Sequence, residues 1–265
     1  MRFDDLLTFS FIDGIGEKTL KKLRGVTDIN DLFMMDDKEL AEYLPSKKVI
    51  STFRSSFCDY IEKMHHFREK LAADGALIVS IDNSAYPERL LSAESFPVFL
   101  YCRGNLDLIN YEKTAAISGP RQASRDGLET SFNTAKALAS KNAAVISGLA
   151  IGIDAAAHKG ACREGKTIAV LPCYSPVYPS QNQYIYDLIL KNNGLIIAEY
   201  REPTNIKFQL LSRDRIIVNL SDRVYVPDSY ASDSGTSYTV DYARSRKKPV
   251  YVYCNGKYVK LREEP

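Results

Sequence analysis

From about residue 76 onward, short continuous apolar runs alternate with longer stretches of helical periodicity, and this alternation constrains the fold more than any other feature. Apolar runs of this kind are typical of parallel strands that helices cover on both faces. The stretch after residue 127 keeps Leu128, Phe132, Ala135, Leu138 and Ala139 on one helical face. The predicted strands are Ala76–Ile81, Val98–Cys102, Thr114–Ser118, Ala143–Ser147, Thr167–Leu171, Leu195–Tyr200, Arg223–Val226 and Val250–Tyr253. The other predicted helices are Asp154–Glu164, Gln181–Asn192, Phe208–Leu220 and Ser237–Ser245. The pattern predicts an α/β fold with a doubly wound, mostly parallel sheet.

The first part of the chain has a different, helical pattern. Gly14-Ile15-Gly16 separates the apolar segments Leu6–Ile12 and Leu20–Leu23. This arrangement resembles a helix-hairpin-helix element, whose tight turn offers backbone N–H groups to a DNA phosphate. A glycine-rich connection between packed helices, with lysines on a solvated face, explains it equally well. The nearby lysines are Lys18, Lys21 and Lys22. We predict further helices over residues 36–44 and 47–73, a small all-α domain at residues 1–72, and an α/β domain at residues 73–265.

The composition limits the possible partners and locations. Thirty-five basic and 33 acidic residues leave a net charge of +2, so any affinity for nucleic acid must come from local clusters. No apolar run is long enough to span a bilayer, and the N-terminus is acidic where a secretory signal would be basic. A cytoplasmic protein is expected. The five cysteines lack metal-ligand spacing, which predicts reduced thiols, no metal and no cofactor.

Two nucleotide-binding patterns are considered and rejected. The segment from Gly160 to Thr167 fits the Walker A string, but that motif needs a strand before it and a helix after it. Here a helical run precedes the string and an apolar strand follows, so we predict a surface position for Lys166 and no ATP site. The segment from Gly148 to Gly152 lacks the glycine spacing of a dinucleotide fingerprint.

Small, hydroxyl-bearing and basic residues follow successive predicted strands, where they would converge. The carboxyl ends of parallel strands share one edge of the sheet, and ligands bind beyond that edge. Backbone N–H groups and hydroxyls fix phosphates there, while arginine and lysine neutralise them. The sequence therefore predicts a phosphate-backbone site. Its candidate residues are Ser118, Gly119, Arg121, Ser147, Gly148, Gly152, Asn182, Lys207, Arg213, Arg215, Ser234, Gly235 and Thr236.

Some of these residues have plain structural explanations. Arg121 could form an internal salt bridge, but the preceding glycine favours ligand binding. Arg213 and Arg215 are two positions apart and cannot share one helix face, so one would bind ligand while the other pairs with Asp214 or Asp222. For the segment after Gly152 we expect Asp154 as a helix N-cap and His158 as a packed side chain.

The motifs resemble those of the DNA-processing protein A family, also called DprA or Smf. That family carries a G-S-R loop, an S-G-x-A-x-G-I-D-x-x-A-H segment, a Y-P-x-x-N loop, an F-P-x-R-N-R-I-I-A-G-L-S segment and an S-G-S-x-x-T-A segment. The corresponding stretches here are residues 119–121, 147–158, 178–182, 210–221 and 234–239. Order and rough spacing agree over about residues 78 to 252. The resemblance implies a Rossmann-like core, and the helical N-terminal part agrees with the helix-hairpin-helix-like or SAM-like domain of many members.

The resemblance also implies a function. Family members bind single-stranded DNA and load the recombinase RecA onto it during natural transformation or recombination, and they are not known as enzymes. By residue matching, Arg121 would contact a DNA phosphate, and Lys207 and Arg213 would line a basic pocket. Ser147, Gly148 and Gly152 would shape the floor of that pocket. A homodimer is a further implied property.

This chain departs from the family pattern at several positions, which keeps alternatives open. Pro120 replaces a serine, Asp214 replaces an asparagine, and Leu210-Leu211 replaces Phe-Pro. The chain resembles a divergent and C-terminally short member, in which part of the family's dimer surface would be absent. One alternative is a nucleotide-binding sensor on the same core with weak or no hydrolase activity, because Thr239 stands where related hydrolases have a catalytic glutamate. Another is a partner-docking protein that has lost the ligand.

Overall fold

The computed structural model describes residues 1–93 and 95–262, and the chain divides into two compact units. The first unit is Met1–Ser80, and the second begins at Ile81. The strand Ala76–Ser80 belongs to the first unit, and the functional domain division at residues 72 and 73 stays a prediction.

The first unit is mainly helical. Its elements are α1 (Phe3–Phe9), α2 (Glu17–Arg24), α3 (Ile29–Met34), α4 (Asp37–Tyr43), α5 (Lys47–Ala73) and β1 (Ala76–Ser80). The side chains of Asp28, Asp36 and Ser46 cap α3, α4 and α5, satisfying backbone N–H groups that a helix start leaves unpaired. The rings of Phe9 and Phe53 pack with their centroids 5.4 Å apart in the core of this unit. The predicted helices over residues 36–44 and 47–73 are confirmed.

The Gly14-Ile15-Gly16 turn joins α1 to α2. Gly14 has φ +91°, a backbone conformation that favours glycine, and Gly16 precedes the first turn of α2. Two of the neighbouring lysines have protein partners. Lys21 Nζ lies 2.6 Å from Glu17 Oε1, and Lys22 Nζ donates to the carbonyl of Glu42 at 2.9 Å. These contacts support the structural explanation of the lysines, while DNA binding by the turn stays a prediction.

The second unit is an α/β fold built on a mostly parallel sheet. Its strands are β2 (Phe99–Gly104), β3 (Thr114–Ile117), β4 (Ala144–Ser147), β5 (Thr167–Leu171), β6 (Leu195–Ala198), β7 (Val224–Val226), β8 (Val250–Cys254) and β9 (Lys257–Lys260). Its helices are α6 (Glu88–Leu91), α7 (Arg125–Ser140), α8 (Ile153–Ala161), α9 (Gln183–Lys191), α10 (Ile206–Leu220) and α11 (Gly235–Ser245). Along the sheet the strand order is β2-β6-β5-β4-β3-β7-β8-β9. The predicted α/β class with a mostly parallel sheet is confirmed.

The order places the crossover point of the sheet at β3. The chain moves from β3 outward through β4, β5 and β6, then returns to pair β7 with the other side of β3. These pairs are all parallel, so their carboxyl ends share one edge, where an open sheet of this type binds ligands. On one face, Ile117 and Val145 of the sheet pack against Ala135 and Ala157 of the flanking helices α7 and α8.

The edges of the sheet differ from the sequence prediction. β2 pairs with β6 in antiparallel orientation, and β9, which was not predicted, pairs antiparallel with β8. Asn255 and Gly256 form the turn between β8 and β9, with φ +49° and +78°. An Asn-Gly pair with positive φ is the favoured turn of a tight hairpin.

The Walker A string has the reversed context that the sequence predicts. Gly160 lies near the end of α8, and Thr167 begins β5. Gly160 serves helix packing, since a Cβ atom there would lie 2.2 Å from the carbonyl oxygen of Phe132 in α7. Lys166 is half-buried between the helix and the strand.

Across the described parts of the chain, no helix combines the length and apolar character that crossing a membrane requires.

We expect Gly160→Ala to lower the free energy of unfolding by about 1–3 kcal/mol, because the added methyl group meets the backbone of α7 and the two helices must separate. Chemical denaturation of the full chain measures this change. Gly235→Ala is the matched control, since a Cβ atom there has open space. Equal stability of the two variants would contradict the proposed role of Gly160.

Candidate functional site

A small cleft lies at the shared carboxyl edge of the parallel strands. Its walls come from the loops after β3, β4 and β5 and from the first half of α10. The residues that line the cleft are Arg121, Gly148, Ala150, Ile151, Tyr178, Pro179, Leu210 and Arg213. The predicted convergence of strand-end loops is therefore observed, although not for every predicted residue.

Glycines allow the loops after β3 and β4 to touch. Gly152 has φ +88°, and a Cβ atom there would lie 2.5 Å from the carbonyl oxygens of Pro120 and Arg121. At Gly119, a Cβ atom would lie 2.6 Å from Cγ1 of Ile153. Any larger residue at either position would push the two loops apart, so these glycines set the position of Arg121.

Asp154 organises the loop after β4. Its Oδ2 atom accepts hydrogen bonds from the backbone N–H groups of Gly148 and Ala150, each at 3.2 Å. The expected N-cap role of Asp154 is wrong, because Gly152 is the N-cap of α8 and Asp154 lies in its first turn. The carboxylate thus folds the loop inward and occupies the N–H group of Gly148, a residue that the sequence assigned to a phosphate.

Arg213 lies buried beneath this loop. A Cβ atom at Gly148 would fall 1.2 Å from Nη1 of Arg213, so only glycine leaves room for the guanidinium. Nη1 lies 4.0 Å from Oδ2 of Asp154 and donates to the carbonyl of Val170 at 3.2 Å. Nε lies 2.7 Å from Oδ1 of Asp214. Two carboxylates therefore offset the charge of Arg213 at the floor of the cleft.

Burial and nearby charges shift the protonation equilibria at this floor. Burial raises the pKa of Asp214 to about 6, against an opposing effect of Arg213 and a further raising effect of Asp154. The pKa of Asp154 is raised as well, mainly by burial. Burial, followed by the charge of Arg213, lowers the pKa of His158 to about 3. His158 is therefore neutral near pH 7, and its fully buried ring bonds Thr167 through Nδ1 at 2.8 Å, which confirms it as a packed side chain.

Arg215 points away from the cleft. Its Nη2 donates to Glu199 Oε1 at 2.6 Å, and its Nη1 donates to the carbonyl of Ser95 at 2.7 Å. The expected pairing of one of the two arginines with Asp214 is confirmed for Arg213, whereas Asp222 pairs with Arg89 at 2.7 Å. Arg215 thus joins α10 to neighbouring segments and does not line the cleft.

Several other predicted site residues hold the loops in place. The Ser147 hydroxyl donates to the carbonyl of Ile117 at 2.7 Å, and Asn182 Nδ2 donates to the carbonyl of Leu149 at 2.8 Å. The backbone N–H of Ser118 donates to the backbone carbonyl of Tyr225 at 3.0 Å. These bonds join the edges of adjacent loops and strands.

The remaining predicted residues are not among those that line the cleft. Ser234 caps α11, since its Oγ accepts from Ser237 N at 3.2 Å and donates to the carbonyl of Ala231 at 2.7 Å. Gly235 is exposed and Thr236 is buried. Lys207 lies exposed in the first turn of α10, three residues before Leu210, so it shares the helix face that meets the cleft.

The sequence prediction omitted most of the apolar lining. Ala150, Ile151, Pro179 and Leu210 were not candidates, although Ile151 is 43% exposed at the cleft. In the sequence, one signal could have indicated this wall: an isoleucine stands in a loop that begins and ends with glycine. With an exposed guanidinium from Arg121 beside apolar walls, the cleft suits a ligand that combines a phosphate with a flat apolar group.

Comparisons with known proteins find relatives of one family. The family model described as DNA recombination-mediator protein A matches residues 66–261. The DNA processing protein DprA of Streptococcus pneumoniae is 35% identical over 177 residues, which cover 65% of this chain and 61% of that protein. The protein Smf of Borreliella burgdorferi is 28% identical over 94% of this chain and 79% of its own length. The chain therefore spans about three-fifths of the first relative and about four-fifths of the second.

Solved structures show the same fold. The crystal structure of the S. pneumoniae protein aligns with a TM-score of 0.71 and 25% identity, covering 95% of this chain and 87% of that one. DNA processing protein A from Helicobacter pylori aligns with a TM-score of 0.61 and 29% identity, covering 68% and 83%. The report of that structure describes a single-stranded DNA binding mode of the H. pylori protein.

We expect Asp214→Asn to remove part of the pH dependence of stability, so that the variant gains stability relative to the unaltered protein as the pH rises from 4 to 8. Because the folded state raises the pKa of Asp214 to about 6, its carboxyl group supports folding when protonated and loses that contribution as the pH rises through 6. This rise in the pKa of Asp214 corresponds to a change of at most about 3 kcal/mol in the free energy of unfolding. Thermal melting across this pH range measures the difference. The exposed Asp107→Asn is the control, and a pH-independent effect of Asp214→Asn would contradict the assignment.

Proposed function

The chain belongs to the DNA recombination-mediator protein A family, and from this premise we propose that it binds single-stranded DNA as a recombination mediator. The cleft beside Arg121 is the proposed contact for the DNA backbone. The curated relatives carry DNA-processing names, and one solved relative is described as binding single-stranded DNA. These names support the proposal, which extends their activity to this chain.

One observation carries the proposal: the two arginines of the cleft have different surroundings. Arg213 is buried and lies between Asp154 and Asp214, whereas Arg121 is exposed at the mouth of the cleft. Arg121 is therefore the guanidinium that a phosphate can reach. Arg213 supports the loop from below and keeps the floor rigid, because Gly148 rests directly on its guanidinium.

The surroundings of Arg121 suit a nucleic-acid strand better than an isolated phosphate. Lys207 adds an exposed cation on the face of α10 that meets the cleft. Tyr178 and Ile151 supply apolar surface on the opposing loops, where a base can pack. A single strand presents its bases freely, while a duplex keeps them stacked inside. The proposed ligand is therefore single-stranded.

The wider role is part of the same proposal. We propose that the protein delivers single-stranded DNA to a recombinase of the RecA type, as a binding protein and not as an enzyme, in DNA uptake or recombination. We also propose that the protein forms a homodimer and is located in the cytoplasm. Recombinase delivery and dimer formation are tested separately, by strand-exchange assays and by analytical ultracentrifugation.

We expect Arg121→Ala to weaken single-stranded DNA binding at least tenfold, equivalent to about 1.4 kcal/mol, without changing thermal stability. The reason is the loss of one phosphate contact, which should also reduce the salt dependence of log K by about 0.7. Fluorescence anisotropy with a labelled oligonucleotide at two salt concentrations measures both quantities.

Arg125→Ala is the matched control for this experiment, because it removes an exposed arginine from the first residue of α7. A duplex and a mononucleotide mixture serve as competitors. Unchanged affinity of Arg121→Ala would contradict the proposed contact. Displacement by mononucleotides, with no preference for single strands, would instead indicate a nucleotide-binding sensor.

A further inference from the structure

A second concave surface lies at the amino edge of the parallel strands, opposite the cleft. The last turns of α11, the loop into β8 and the end of β9 form it. We call this surface the basic groove. Its charged lining residues are Asp241, Arg244, Lys247, Lys248, Lys260 and Arg262. Five cations thus face one carboxylate in a chain whose net charge is only +2.

Lys248 has a structural role in the basic groove. Its ammonium group donates to the carbonyls of Val218 and Asn219, each at 2.8 Å, at the end of α10. These carbonyls belong to the last turn of a helix, where the intrahelical donors run out, and the Val218 carbonyl also accepts from the backbone N–H of Ser221 at 3.1 Å. Lys248 therefore stabilises the fold, and the cations that remain exposed in the groove are Lys247, Lys260 and Arg262.

Lys247 occupies a backbone position that usually favours glycine. Its φ is +54°, directly after the C-cap of α11, and its N–H donates to the carbonyl of Arg244 at 2.8 Å. A residue with a side chain is less stable than glycine in this conformation. The position thus carries a long cation at the rim of the groove where a glycine would be more stable.

Aromatic side chains adjoin the basic groove along β8 and β9. Tyr251 is the register partner of Lys260, so the two side chains share a face of the sheet. Tyr225 stacks on Tyr251 with the ring centroids 5.2 Å apart, and Tyr253 and Tyr258 are also 5.2 Å apart. The Tyr258 hydroxyl lies 2.9 Å from that of Thr134 in α7, and Tyr225 packs against the core beneath that helix, so these rings support the fold and do not line the groove.

We propose that the basic groove binds the phosphate backbone of a second segment of the same single DNA strand that occupies the cleft. This inference rests on the proposed function. The excess of exposed cations at the groove favours a polyanion, and the proposed function supplies one in single-stranded DNA. The strand would run from the carboxyl edge of the sheet, past its outer strands, to the amino edge.

The dimensions of the sheet set the length of DNA required. Strands of four or five residues are about 15 Å long, and β8 lies two strands away from β3, or about 10 Å. The two surfaces are therefore on the order of 20 Å apart in a straight line, which equals about six nucleotides at a spacing of ~3.4 Å. An extended single strand bridges this distance with fewer nucleotides, so the short probe must have about three nucleotides, which span roughly 10 Å at that spacing and occupy the cleft without reaching the groove.

The test compares two triple variants with the unaltered protein. The groove variant combines Lys247→Gly, Lys260→Ala and Arg262→Ala and leaves Lys248 in place; the change to glycine also relieves the backbone at position 247. The control variant combines Lys113→Ala, Lys141→Ala and Lys191→Ala. It removes the same charge from exposed positions beside the amino ends of β3, β4 and β6. Anisotropy measures binding of labelled oligothymidylates of about 3 and about 24 nucleotides, the shorter being too short to bridge the two surfaces.

We expect all three proteins to bind the short oligonucleotide equally. The groove variant should bind the long one at least fivefold more weakly, with a salt dependence of log K reduced by about 2, corresponding to three lost phosphate contacts. The control variant should bind the long one like the unaltered protein. The inference would be overturned if the groove variant bound the long oligonucleotide as tightly as the unaltered protein does. It would also be overturned if the control variant lost as much affinity for the long oligonucleotide as the groove variant does.

Two further comparisons distinguish failure of this inference from failure of the proposed function. If Arg121→Ala leaves both oligonucleotides bound while the groove variant loses the long one, the groove holds DNA and the cleft proposal fails. If the unaltered protein binds neither oligonucleotide, both proposals fail. Polyglutamate is added as a competitor at the same concentration of negative charge as the oligonucleotide. If it reduces binding of the long oligonucleotide to the affinity of the groove variant, the groove is assigned to an acidic protein partner instead.

Discussion

The buried guanidinium of Arg213 is the contact on which the rest of the site depends. It fills the space beneath Gly148 and lies within reach of Asp154 and Asp214. A buried cation without partners would cost several kcal/mol, so the two carboxylates are needed to keep it there. Asp154 also holds the loop after β4 through two backbone hydrogen bonds. One charged cluster therefore fixes the position of the loop that shapes the cleft.

In this arrangement, the residues that hold the loop in place differ from the residues proposed to contact the ligand. The buried cluster uses its charges internally, so it offers little net charge to a ligand. Recognition is left to groups at the surface, with Arg121 at the mouth of the cleft and Lys207 on the first turn of α10. Because burial raises the pKa of Asp214 to about 6, the charge of the floor changes with pH in that range.

Most of the fold could be predicted from the sequence because parallel strands buried on both faces leave a local signal. The apolar runs at residues 114–118 and 167–171 correspond to β3 and β5 with small changes at their ends. The edges of the sheet were harder to predict. The exposed strand β9 lacks an apolar run, and only the Asn255-Gly256 pair indicated its hairpin. The antiparallel orientation of β2 depends on its pairing with β6, which lies far along the chain.

The sequence by itself determined the fold class, the edge of the sheet that carries the cleft, and Arg121 as a candidate contact, because periodicity and strand-end glycines are local patterns. Only the tertiary structure decided that Arg215 pairs with Glu199, that Asp154 binds the loop backbone, and that two carboxylates face Arg213. These partners are brought together by packing between distant segments. The choice among several possible ion pairs depends on burial and distance, and neither quantity can be read from residue spacing.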